Sequence, residues 1–113
     1  MSKSDCLARG DIVLINFNTQ SGHEQAGRRP ALVISDTHFN KVTGFAVLCP
    51  ITSQVKGNPF EVEVRGTKRI TGVIMSNQYK SLDWVSRDAK TVDSVVIDVV
   101  NEVNSIIAKI LKL

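Results

Sequence analysis

Residues 60–75 read FEVEVRGTKRITGVIM, and their pattern sets the architecture. Phe60, Val62 and Val64 alternate with Glu61, Glu63 and Arg65, so an extended chain here has one apolar face and one wet face. Gly66-Thr67-Lys68-Arg69 then links this run to a second one, residues 70–75, and suits a hairpin between antiparallel partners. Upstream, residues 11–17, 31–35 and 45–49 are apolar, rich in β-branched side chains and bounded by Gly, Pro, Asn or Asp, which is how core strands read. Residues 78–82 extend the series. Consecutive antiparallel pairing is the economical topology for so many short strands, and a small, strongly bent barrel follows.

Toward the C-terminus the period changes. Val96, Val99, Val100, Val103, Ile106, Ile107 and Ile110 fall on one stripe at helical spacing, with Asp98, Glu102, Asn104 and Lys109 off it. This predicts an amphipathic helix packed on the barrel, N-capped by Asp93 and favoured at its end by Lys109 and Lys112. Residues 36–42 are polar and read as one helical turn. The expected fold is therefore mainly β, a small antiparallel barrel with an added C-terminal helix.

The chain has 113 residues, 12.4 kDa in mass, with 42% hydrophobic and 22% charged residues. These values fit one domain over residues 1–113 and exclude a two-domain reading. Folding at this size hides roughly 65% of the unfolded surface, enough for one core but not for a large buried cofactor site. An active site is expected as a surface groove, and no cofactor is called for. Fourteen Lys and Arg against eleven Asp and Glu give +3 and a pI near 9.1, a mild bias toward anionic partners that decides nothing alone. Cys6 and Cys49 form no CxxC pair and read as reduced thiols of a cytoplasmic protein. The opening MSKSDCLARGD lacks an apolar export core, and the apolar runs are too short to span a bilayer.

Three polar clusters can carry chemistry. Residues 18–30, NTQSGHEQAGRRP, make a long connection between two strands, and such loops in small domains are commonly functional. Within it Arg29 precedes Pro30, which biases it to extended backbone at the root of the next strand, where a guanidinium can hold a phosphate bidentately. Thr52, Ser53, Gln54 and Lys56 follow the third strand and offer hydroxyls and a compact cation, although the same residues also suit a plain turn. Asn77, Gln78, Tyr79, Lys80 and Ser81 combine amides, a ring and a cation, the set that reads and stacks single-stranded bases, or an exposed strand face.

In order along the chain, Gly10-Asp11, Glu24-Gln25-Ala26-Gly27 with Arg29-Pro30, Pro50-Ile51-Thr52-Ser53-Gln54 with Lys56-Gly57, Pro59-Phe60-Glu61-Val62 and Gln78-Tyr79-Lys80-Ser81-Leu82-Asp83-Trp84 resemble the MazF/PemK toxin family. The resemblance covers nearly the whole chain. It implies an SH3-like barrel, a homodimer, and a metal-independent endoribonuclease that cuts single-stranded RNA at short sequences. It also implies a cognate antitoxin, acidic and partly disordered, that folds into the RNA groove; operator DNA would be met only through that antitoxin. The family's catalytic arginine and threonine map onto Arg29 and Thr52. Gln25, Arg28, Ser53, Gln54, Lys56, Asn77, Gln78 and Lys80 are the implied RNA contacts.

The implied reaction uses the RNA 2'-hydroxyl to attack the adjacent phosphorus, leaving a 2',3'-cyclic phosphate and a 5'-hydroxyl. A guanidinium holds its proton tightly, so Arg29 is assigned electrostatic stabilisation first. Glu24 ranks as general base, because the resemblance runs through it. His23 is the alternative, with an ordinary pKa closer to neutral. His38 fits no site pattern and reads as a surface histidine. No carboxylates or histidines in these clusters stand at ligand spacing, so no metal is expected. A competing reading is a non-catalytic toxin on the same barrel, like the CcdB-type binders of DNA gyrase. Such a binder has no chemical need for Arg29-Pro30 with Thr52.

Overall fold

A computed structural model describes residues 6–17 and 27–113. Its elements run β1 (Asp11–Asn16), β2 (Arg28–Val33), α1 (Thr37–Thr43), β3 (Phe45–Thr52), β4 (Glu61–Glu63), β5 (Val73–Met75), a 3-10 turn (Ser76–Gln78), β6 (Lys80–Asp83), β7 (Lys90–Ser94) and α2 (Ile97–Leu111). All strand pairs are antiparallel, in the order β4-β5-β3-β2-β1-β7, with β6 also paired to β3.

Strands β1 to β3 are apolar without a wet face because both of their faces are covered. Ile12, Leu32, Cys49 and Ile51 point to one side, where Val99, Val100 and Val103 of α2 and Val62, Val64 and Ile74 complete a core. The alternate residues Val13, Ile15, Ala31, Val33, Ala46 and Leu48 point to the other, closed by Leu7 and Leu82 with Phe17, Trp84 and Ala89 around them. Residues 60–75 do form a hairpin, with Val62 opposite Ile74. Val62 and Val64 are buried as the alternation requires, while Phe60 stays over a third exposed just ahead of the strand.

Several expectations are corrected. Pairing is not strictly consecutive: β3 is long enough to pair with β2 along one edge and with β5 and β6 along the other. The sheet does not close into a barrel. Between edge strands β4 and β7 the seam is bridged by the Val96 N–H donating to Arg65 O at 3.4 Å and by a side chain, Asp93. That carboxylate does not cap α2. Asp93 instead accepts the backbone N–H groups of Lys68, Arg69 and Ile70, at 2.7 to 3.0 Å. The cap position falls to Val96, which makes no side-chain cap bond, and Lys112 ends the helix in the left-handed region. Val96 and Ile110, at the ends of the predicted stripe, are exposed.

The polar segment after β2 is a full short helix. Asp36 caps α1 by accepting the His38 and Phe39 N–H groups, and Gly44 closes it with φ 74°. Within α1 the fully buried Asn40 acts as a hub: its amide donates to Leu7 O at 2.8 Å, its Oδ1 pairs with the Ser35 hydroxyl, and its carbonyl accepts the Trp84 indole N–H at 3.1 Å. His38 lies exposed on this helix, away from the residues discussed next.

Candidate functional site

Strand β2 sets the site by parity. Its first two residues, Arg28 and Arg29, are exposed neighbours that project to opposite sides, opposite Asn16 and Ile15 of β1. Arg28 turns toward the 84–88 turn and donates to Asp88 Oδ2 at 3.0 Å, over a depression that Asn16, Asp83, Ser86 and Arg87 also line. There the Arg87 guanidinium donates to the carbonyls of Asn16 and Phe17, at 2.9 and 3.2 Å. Arg28, expected among the RNA contacts, is thus engaged by a carboxylate on the other side of the strand from Arg29.

Arg29 faces a depression of about 370 Å³ lined by Pro30, Ile51, Thr52, Ser53, Arg69, Ile70 and Thr71. Thr52 reaches it as the last residue of β3, where Pro50 lies opposite Ala31 of β2. The Gln54 N–H donates to Thr52 Oγ1 at 3.1 Å, which uses the hydroxyl as acceptor and leaves its proton to donate elsewhere. Close approach from the hairpin fixes Thr52 from behind. Gly72 has φ +124°, and a Cβ there would collide with Thr52 O, so only glycine fits.

Arg29 also borders a second depression of about 250 Å³, with Phe17, Pro50, Gln78 and Lys80. The Lys80 ammonium stands 5.8 Å from the Phe17 ring centroid. Arg29 therefore stands between two adjoining hollows, with Thr52, Ser53 and Arg69 on one side and Gln78, Lys80 and Phe17 on the other.

The geometry sorts the sequence-derived candidates. Arg29, Thr52, Ser53, Gln78 and Lys80 come together along one groove. Gln54 contributes its backbone N–H to Thr52. Lys56 and Asn77 are exposed but line neither hollow. The backbone N–H groups of Lys56 and Gly57 are held by Glu61, at 3.0 and 2.8 Å. Glu24, Gln25 and His23 lie outside the described residues. Arg69, Thr71 and Phe17 were not foreseen. Arg69 was hidden in a link read as a hairpin connection.

The Asp93 carboxyl and the Cys49 thiol are among the groups with displaced pKa values. Partial burial pushes the Asp93 carboxyl up, but the N–H groups of Lys68, Ile70, Arg69 and Ser94 outweigh it and hold it well below the carboxylate range. Burial in the core pushes the Cys49 thiol up to about 12, so it stays protonated and inert.

The sequence model for the PemK-like, MazF-like toxin of type II toxin-antitoxin systems matches residues 8–111. The chain belongs to the PemK/MazF toxin family. Its relatives include the endoribonuclease toxin MazF of Escherichia coli K12, 44% identical over 80 residues that make up 71% of each chain. The endoribonuclease toxin ChpB of the same strain is 38% identical over 90% of this chain and 91% of its own. Among solved structures, a MazE-MazF crystal structure from Deinococcus radiodurans superposes with a TM-score of 0.86 at 42% identity, covering 96% of this chain and 97% of that one. The open antiparallel sheet with its C-terminal helix is thus the PemK/MazF fold.

Proposed function

We propose that this chain is an endoribonuclease toxin that cleaves single-stranded RNA at short sequences, without a metal and without the ribosome, and so halts translation and growth. The observation that carries the reading is the meeting, in one open groove, of the Thr52 hydroxyl and an Arg29 guanidinium that has no ion-pair partner among the described residues. The named endoribonuclease relatives support it over a gyrase-binding toxin.

The chemistry follows from the donors. When the RNA 2'-oxygen attacks phosphorus, its proton passes to a base, the P–O5' bond breaks, and the 5'-oxygen leaves as a hydroxyl after taking a proton. Negative charge gathers on the non-bridging oxygens in between. Arg29 and Thr52 donate to those oxygens, and one such preorganised donor is worth about 3–4 kcal/mol in the barrier. Glu24 is assigned as the base. DNA lacks the nucleophile, so it would bind without being cut. Gln25, Ser53, Gln78 and Lys80 hold flanking nucleotides, the last two beside the Phe17 ring.

The partners follow from the same surface. A basic groove suits an acidic, partly disordered antitoxin segment that covers it, as expected for a relative of the MazF solved with MazE. We assign the functional unit as a homodimer, with operator DNA contacted through the antitoxin. Among the described residues no helix is long and apolar enough to cross a membrane.

The test is incubation of purified protein with a long single-stranded RNA in EDTA, alongside Arg29→Ala. Discrete cuts ending in 2',3'-cyclic phosphate, lost in the variant, are the expected result. Intact RNA with a wild-type protein that still arrests growth would overturn it.

A further inference from the structure

The six arginines divide by what the fold does with them. Arg28 pairs with Asp88, Arg65 pairs with Glu102, and Arg87 is spent on the carbonyls of Asn16 and Phe17. Arg9, Arg29 and Arg69 have no ion-pair partner among the described residues. Two of these three, Arg29 and Arg69, line the same hollow with Thr52. An exposed guanidinium beside another would ordinarily be free to swing away from its like charge, and a four-residue link would ordinarily be its loosest support.

That link is not loose. The Asp93 carboxylate accepts three successive N–H groups from it, Lys68 to Oδ1 at 3.0 Å and Arg69 and Ile70 to Oδ2 at 2.7 and 2.9 Å. The Thr67 hydroxyl closes the same turn by donating to Ile70 O at 2.7 Å. Successive N–H groups converging on one anion form a rigid nest. The backbone of Arg69 is therefore fixed by a residue 24 positions away, with its side chain at the groove and without an ion-pair partner among the described residues. Because the ordering of this backbone is completed on folding, it need not be repeated on binding.

We propose that Arg69 binds a backbone phosphate of the RNA neighbouring the one that is cleaved, and that Asp93 is the positioning residue that holds it there. The neighbouring phosphate is specified by Arg29, which borders both hollows and so marks the middle of the groove. Arg69 borders only the hollow on the Thr52 side, and Lys80 only the other. A strand threaded through both hollows with its reacting phosphate at Arg29 and Thr52 brings a second phosphate to Arg69. The inference rests on the RNA-cleaving reading above.

The test uses the purified full chain and an RNA carrying the mapped cleavage sequence, made non-cleavable by a single 2'-deoxy nucleotide. Affinity is measured against salt, and then on a panel in which one linkage at a time is a neutral methylphosphonate. Arg69→Ala is expected to weaken binding about tenfold and to lower the slope of log affinity on log salt by about 0.7, the single-strand value for one phosphate. One linkage, other than the cleaved one, should then lose its methylphosphonate penalty in the variant alone.

Asp93→Asn should reproduce part of that loss through KM rather than kcat, and should add nothing to Arg69→Ala in the double variant. An unchanged salt slope, a panel with no uncoupled linkage, or coupling at the cleaved linkage would overturn the phosphate assignment. Additive losses in the double variant would overturn the positioning role. Failure of the wild type to cut the unmodified RNA would instead overturn the cleaving reading itself, while a salt slope sensitive to Arg69 would still stand as phosphate binding.

Discussion

Arg28 and Arg29 are adjacent, chemically identical and both exposed, yet the fold puts them to opposite uses. On the Arg28 side, charge is compensated: Asp88 meets Arg28, and Arg87 is bound to the ends of β1. On the Arg29 side, Arg29 and Arg69 stand around a hydroxyl with no ion-pair partner among the described residues. The difference arises from the two-residue period of a strand, which sends neighbours to different faces. It teaches that in a chain of modest net charge the candidate functional surface stands out by where positive charge is left uncompensated among the described residues, not by where it is abundant.

The sharpest way to break this comparison is to truncate each arginine in turn. Arg29→Ala should lower the RNA cleavage rate about 10²- to 10³-fold, matching the loss of one transition-state donor. Arg28→Ala should change it less than about threefold. Equal losses in single-turnover cleavage would erase the distinction between the two sides.

A second effect concerns what holds the compensated side in place. The 84–88 turn hangs on the Trp84 indole bond to Asn40 O, and Asn40 in turn ties Leu7 and Ser35. Asn40→Leu keeps the carbonyl that Trp84 bonds but takes the amide from Leu7 O and the acceptor from the Ser35 hydroxyl, and should cost about 2–3 kcal/mol in urea unfolding. Cleavage per folded molecule should be unchanged.

On the groove side, stability should carry a pH signature through Asp93. Its carboxyl is held below the ordinary range when folded, so its contribution is complete above the unfolded pKa of about 4 and is lost as the pH falls through the lower folded value. The thermal midpoint of the wild type should drop on acidification below about pH 4, and that of Asp93→Asn should start lower and fall less steeply. Parallel curves would contradict the assignment.

The smallest effect is expected at the ion pair itself. With side chains 39% and 80% exposed, Arg28 and Asp88 are largely in water. Asp88→Asn, which removes the charge and keeps a side chain suited to the φ of 54° there, should shift stability by no more than about 0.5 kcal/mol, with cleavage unaltered. A large shift in either would show that compensation on this side is more than surface pairing.

Much of this was legible in the sequence where the signal is local and repetitive. The apolar runs of β1 to β3 announced core strands, the 60–75 hairpin announced itself by alternation, and α2 by its valine and isoleucine stripe. What was not legible is long-range or polar. Strand β7, KTVDS, sits at an edge with Lys90, Thr91 and Ser94 exposed, so it has no apolar face to show. Asp93 satisfied the local rule for a helix cap, but its acceptors' partners lie 23 to 25 residues earlier, beyond any local rule. Arg69 was missed for the same reason, since only that distant carboxylate makes a turn residue part of the groove. Arg29 and Thr52 were named because a motif carried them, and their meeting required the pairing of β2 with β3.

Trp84 is the lone tryptophan of the chain. It packs against the core face opposite α2, hydrogen-bonds to α1, and borders the hollow formed with Cys6, Ala89 and Lys90 rather than the groove of Arg29. Its fluorescence is therefore expected to report folding from a place outside the groove of Arg29. Unfolding followed at this one wavelength with and without RNA would then read ligand-induced stabilisation from a single unlabelled protein.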